Sequence, residues 1–194
     1  IASAVTKATS TVTPNVSSRI GGHDANTLLQ AGGDISVGST LAASSEATAT
    51  GGSVAGGLSV SVGATNATAS IGPASETTPM VSTSITGGKL KSRTGGINAT
   101  TVYNNDSSGK VTNGKGAIAN AYAAAGGAIA TSGATASASN TPTLKTFVDS
   151  DVELSAATTI AVTGNATVVA QATAAGQAGG AIGVGKSTAS ATAN

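Results

Sequence analysis

The feature that most limits what this chain can fold into is an internal repeat of about 63 residues. One anchor, Pro-x-[Val/Leu]-x-x-x-[Ile/Val], occurs as Pro14-Val16-Ile20, Pro79-Val81-Ile85 and Pro142-Leu144-Val148, so the prolines stand 65 and 63 residues apart. Leu28, Leu90 and Val152 form a second apolar anchor, and Ile35, Ile97 and Ile160 a third. A fourth is a glycine pair before a small-residue stretch, in Gly56-Gly57-Leu58, Gly126-Gly127-Ala128 and Gly179-Gly180-Ala181. Self-similarity at such a period marks a stacked array, in which each unit closes its core only against its neighbours. The units run over 14–78, 79–141 and 142–194, and 1–13 read as the tail of a preceding unit. The spacing places the next proline at 195, so both ends are expected to be cuts through a longer array, to be continued covalently or by end-to-end stacking of copies.

Composition narrows the kind of array. Ala (39), Ser plus Thr (55) and Gly (27) together make up well over half of the 194 residues, while aromatics are 2% and charged residues 9%. A thick core is built from aromatics and large aliphatics, each removing much apolar area from water. This chain needs a thin core of small residues and β-formers. The short alternations Leu58-Ser59-Val60-Ser61-Val62 and Thr158 to Val162 are strand-like, and interspersed Gly, Thr, Ser and Val oppose helix. The expected fold is therefore all-β, a parallel β-helix (β-solenoid). Three apolar segments per period suggest about three coils of roughly 21 residues in each repeat, and a rod of about 43 Å from nine coils at ~4.8 Å each. Val60, Val62, Ile35 and Ile160 are expected to point inward. Asn104 to Gly116 lengthens the second unit and is expected to protrude.

Charge and motifs exclude several functions. Nine Lys/Arg against eight Asp/Glu, with no basic block, argue against a nucleic-acid partner. No apolar run is long enough for a membrane-spanning helix, no signal peptide is visible at the start, and the absence of cysteine excludes disulfides and thiolate metal sites.

At this point the residues resemble the giant repetitive β-helical surface proteins of bacteria, the filamentous haemagglutinin-like and leukotoxin-type filamentous adhesins. The matching stretches are Ala31 to Val37, Ala55-Gly56-Gly57-Leu58 and Pro14 to Gly21; the third unit departs, with Thr158-Thr159 in place of Gly-Gly-Asp. The resemblance implies an extracellular or cell-surface location and a filamentous, adhesive or matrix-forming role. Its partners would be other copies or continuing repeats of the chain itself, and a host or matrix surface.

Candidate chemical groups are few. His23, with Asp24 or Asp34, is the sole basis for a Ser-His-Asp arrangement and reads as a solvated corner. Asp149, Asp151 and Glu153 alternate, so on a strand they would share a face and could hold Ca²⁺ through oxygen; a solvated acidic face is the simpler reading, and no metal or other cofactor is expected. Lys89, Lys91 and Arg93 form a basic ladder in the previous unit. Aligning Leu90 with Val152 sets Lys89 opposite Asp151 and Lys91 opposite Glu153, and these six charged residues are candidates for contact between rods. Gly180 to Ser187 fits the phosphate-loop string, without the strand and helix such a loop requires. Asn15, Asn66, Asn98, Asn105 and Asn165 begin Asn-x-Ser/Thr sequons. The functional expectation is a non-catalytic structural segment of an extracellular filament or surface adhesin. The alternatives are a Thr/Ser-faced module binding ice or carbohydrate, which needs a flat Thr-x-Thr array on every coil, and a β-helical enzyme acting on polysaccharide.

Overall fold

The computed structural model describes residues 1–194 except His23, Ala25, Ser107, Ser108, Gly109, Val111 and Asn113. It is all-β, with strands paired in parallel into five stacked sheets, the arrangement of a β-solenoid. A lone strand, β1 (Ala2–Val12), is followed by three coils of five strands each. The first holds β2 (Val16–Ile20), β3 (Leu28–Ala31), β4 (Ile35–Leu41), β5 (Ser44–Val54) and β6 (Val60–Ile71). The second holds β7 (Val81–Ile85), β8 (Gly88–Ser92), β9 (Ile97–Tyr103), β10 (Gly116–Gly126) and β11 (Ile129–Asn140). The third holds β12 (Leu144–Val148), β13 (Val152–Ser155), β14 (Ile160–Ala166), β15 (Ala170–Gly179) and β16 (Ile182–Ala193).

The size of the coil differs from the sequence expectation. Val16 pairs with Val81 and Val81 with Leu144, and Ile35 with Ile97 and Ile97 with Ile160. The repeat is thus one large coil rather than three small ones. The three apolar segments counted per repeat are different walls of a single layer, and the stack is roughly four strands deep, about 19 Å at ~4.8 Å each, instead of a long rod.

Each coil has two parts with different interiors. The short strands β2, β3 and β4 and their equivalents form a three-sided prism, packed by Ile35, Ile85, Leu90, Ile97 and Ala99. Where the walls containing β7 and β9 approach, buried hydroxyls replace carbon: Thr83 Oγ1 donates to the carbonyl of Thr100 (2.9 Å), and Ser39 Oγ to that of Ser82 (2.7 Å). The long strands form two facing sheets, β5-β10-β15 and β1-β6-β11-β16, packed by alanines such as Ala49, Ala67, Ala119 and Ala136.

This two-sheet wing tapers. A Cβ on Gly63 would lie 2.3 Å from the carbonyl oxygen of Ala124 on the facing sheet, so only a glycine fits there. Toward the prism the gap widens enough for Ile71 in the first coil and for the pair Tyr103 and Asn140 in the second. The taper corrects the expected direction of Val60 and Val62. Ser61 between them is fully buried and donates to the carbonyl of Ser53 (2.8 Å), while Val60 and Val62 face outward at 37% and 38% exposure. A valine pointing inward at this end would collide with the opposite backbone. Ile35 is buried as expected; Ile160 shares its column but lies on the third coil, and is 48% exposed.

The turns stack as well. Asp34 Oδ1 accepts from the backbone N–H of Gly96 one coil above (2.6 Å), which gives the Gly-Gly-Asp motif a structural task. The second-unit insertion does not begin as a protrusion. Asn104, at φ 55°, and Asn105 are buried; Asn104 Oδ1 accepts from Ala43 N–H (2.8 Å) and Asn105 Oδ1 from Thr167 Oγ1 (2.6 Å). Ser107 to Gly109, Val111 and Asn113 of that segment lie outside the described residues.

Candidate functional site

The charged residues singled out in the sequence fall at two places on one side of the prism. On the wall β3-β8-β13, Leu29 pairs with Leu90 and Leu90 with Leu154. The apolar anchor is therefore Leu29-Leu90-Leu154, and the alignment of Leu28, Leu90 and Val152 is off by one position in the first coil and two in the third. Glu153 consequently sits beside Lys89, and their side chains meet at 2.7 Å. The hydrogen bond and the positive charge of Lys89 hold the Glu153 carboxyl below its ordinary range. Lys91 pairs in register with Ser155, and Arg93 donates through Nε and Nη2 to the side-chain oxygen of Gln30 (2.5 and 2.6 Å) when that amide is turned toward it. The Lys89–Glu153 ladder thus joins successive coils of one chain.

The three acidic residues do not share a face. β13 starts at Val152, so Asp149 and Asp151 lie in the turn before it, where with Arg19, Gly22, Thr86 and Gly87 they line an open pocket of about 260 Å³. Asp149 Oδ1 accepts from the N–H of Ser150 (2.9 Å). Glu153 is turned away to Lys89, and a guanidinium stands in the pocket with the two aspartates. This set does not fit the Ca²⁺ arrangement considered from sequence. Among the described residues no group of three or more His, Asp or Glu side chains is placed to hold a metal. His23 lies outside the described residues. Gly180 to Ser187 runs into strand β16, so the phosphate-loop string has neither the loop nor the helix its chemistry needs.

The most regular surface is one the sequence offered only through the Thr/Ser-faced alternative, with no site residue assigned to it. It is the outer face of the sheet β1-β6-β11-β16. Pairing in register brings Thr9, Thr68, Ser137 and Ser190 into one column and Thr11, Ser70, Ser139 and Thr192 into the next. Toward the other end of the same strands stand the apolar columns Val60-Ile129-Ile182 and Val62-Thr131-Val184. Between them runs a furrow of small residues, Ala64 and Gly133, where a Cβ on Gly133 would meet nothing within 4 Å. The hydroxyls are partly satisfied among themselves: Ser70 Oγ donates to Thr11 Oγ1 (3.1 Å) and Thr68 Oγ1 to Asn66 Oδ1 (3.3 Å). The face offers repeated apolar and hydroxyl contact at the strand spacing. Comparison with family models, curated proteins and solved structures finds no match.

Proposed function

We propose that the chain is a non-catalytic structural length of an extracellular filament or cell-surface adhesin. The observation that carries this reading is the coil itself. Five strands recur three times in register, each adding its layer to the same five walls. A fold of this kind lengthens by adding coils, with no new packing solution at each step. The residues of each coil are spent on that stacking: alanines fill the wing, aliphatics fill the prism, and the Asp34 and Lys89 side chains tie one coil to the next. A coil core is also incomplete alone. Ile97, between two coils, is 1% exposed, against 48% for Ile160.

Electron microscopy and fibre diffraction of the purified full chain test the proposal. The expected result is threads one coil wide with a ~4.8 Å repeat along the thread axis, the spacing of strands stacked on that axis. Discrete particles at every concentration would contradict it.

A further inference from the structure

We infer that the outer face of the sheet β1-β6-β11-β16 is a lateral interface at which two copies of this chain pack face to face. This goes beyond axial growth, because it joins solenoids side by side through a surface that axial stacking leaves free.

The face is unusual for one turned to water. Val60, Ile129 and Ile182 are 37%, 43% and 59% exposed in one continuous column, with Val62 and Val184 beside them. Only two outward positions on its four strands are charged, Lys7 on β1 and Lys186 on β16, one at each edge. Contiguous apolar surface of this kind marks an interaction site. The size fits a second copy. Strands of about 12 residues at ~3.3 Å rise, four abreast at ~4.8 Å, make a face of roughly 750 Å². A stable interface buries about 800 Å² per partner.

The face is self-complementary. The ridge Val62-Thr131-Val184 runs straight across the sheet beside the furrow of Ala64 and Gly133, so the ridge of one copy can lie along the same ridge of the other. A two-fold axis parallel to the strands sets each column on its own counterpart, apolar on apolar and hydroxyl on hydroxyl. The strands of the two sheets then run nearly aligned, as in sheet-on-sheet packing, and the two solenoid axes run antiparallel. That axis exchanges the layer of β1 with that of β16 and the layer of β6 with that of β11. Lys7 then faces Thr188 and Lys186 faces Val5 of the other copy, so no two lysines meet. A free hydroxylated ligand explains less of the face, since it gives no use for the valine and isoleucine columns.

The test is sedimentation equilibrium of the full chain. The parent should self-associate, and Ile129→Lys, an outward change that leaves both cores untouched, should weaken the pairing step at least tenfold. Val62→Lys should do the same, and Thr48→Lys, on the outer face of the other long sheet, should not. Far-ultraviolet circular dichroism checks that each variant keeps its strands. Because the chain has no cysteine, single cysteines report the geometry: a Val62→Cys chain mixed with a Thr131→Cys chain should cross-link more readily than either chain with itself. Lateral pairing closes at two, whereas axial stacking is open-ended, so Ile129→Lys should remove the doubling while leaving axial growth intact. A parent without the doubling step, a lysine variant that pairs like the parent, or cross-linking through Thr48→Cys instead would overturn the inference. So would a parent that stays unpaired while the face binds ice or a glycan.

Discussion

At the scale of single residues, the glycines and the buried polar groups explain why the composition is so restricted. Gly63 and Gly133 are neighbours in the same sheet and have opposite surroundings. Gly63 faces the Ala124 carbonyl across the thin end of the wing, and Gly133 faces open space. Gly63→Ala should destabilise the chain by about 1–3 kcal/mol through overpacking. Gly133→Ala should leave it unchanged or stabilise it by ~0.4–1 kcal/mol by restricting the unfolded chain. Urea melts of the two variants check the pair, and equal effects would refute the taper. Where the wing widens, Tyr103 Oη donates to Asn140 Oδ1 (2.7 Å) and Asn140 Nδ2 to the Val169 carbonyl (2.9 Å). Burial pushes the Tyr103 phenol above its ordinary 10.0, more than its hydrogen bond with Asn140 lowers it. A raised folded pKa gives stability that is present below the unfolded value and lost as pH rises through the folded one. Tyr103→Phe should cost about 1–3 kcal/mol by leaving a buried acceptor without its donor. Its deficit relative to the parent should shrink between about pH 9 and pH 11 as the unfolded tyrosine ionises. Melts across that range check the trend, and a constant deficit would contradict it.

At the scale of elements, stacking decides how much each position matters. Ile97 and Ile160 occupy one column, the first covered on both sides and the second on one. Ile97→Asp should bury a charge without a partner and cost several kcal/mol. Ile160→Asp should cost clearly less, because its carboxylate can reach water. Thermal melts that rank them the other way would contradict the order of the coils. The Lys89–Glu153 ladder is exposed, and Lys89→Met should shift stability by less than about 1 kcal/mol. The all-β class and the prism anchors were legible because Val16, Val81 and Leu144, and Ile35, Ile97 and Ile160, recur at near-constant spacing in strands that must point inward. The coil size was not, since a single large coil also carries several apolar segments, one per wall. The columns of the face β1-β6-β11-β16 were not legible for a related reason. Its column Thr9, Thr68, Ser137 and Ser190 recurs at intervals of 59, 69 and 53 residues, which a search at one period passes over. The signal that could have found it is the alternation within each strand, Thr-Ser-Thr, Thr-Ala-Ser, Ser-Ala-Ser and Ser-Ala-Thr, aligned by strand rather than by a fixed count.

At the scale of the whole molecule, everything proposed rests on one coil per repeat. That geometry builds the wing from two facing sheets, sets the apolar and hydroxyl columns, and lets the array lengthen by a layer at a time. Its most direct measurement is the distance between nitroxide labels on Thr68→Cys and Ser137→Cys in one chain, diluted with unlabelled chain so that only separations within a molecule are read. The two residues are paired on adjacent strands β6 and β11. Their backbones should stand about 5 Å apart, giving strong dipolar broadening. Coils of about 21 residues would place them some three layers apart, and a backbone separation near 15 Å would contradict the fold described.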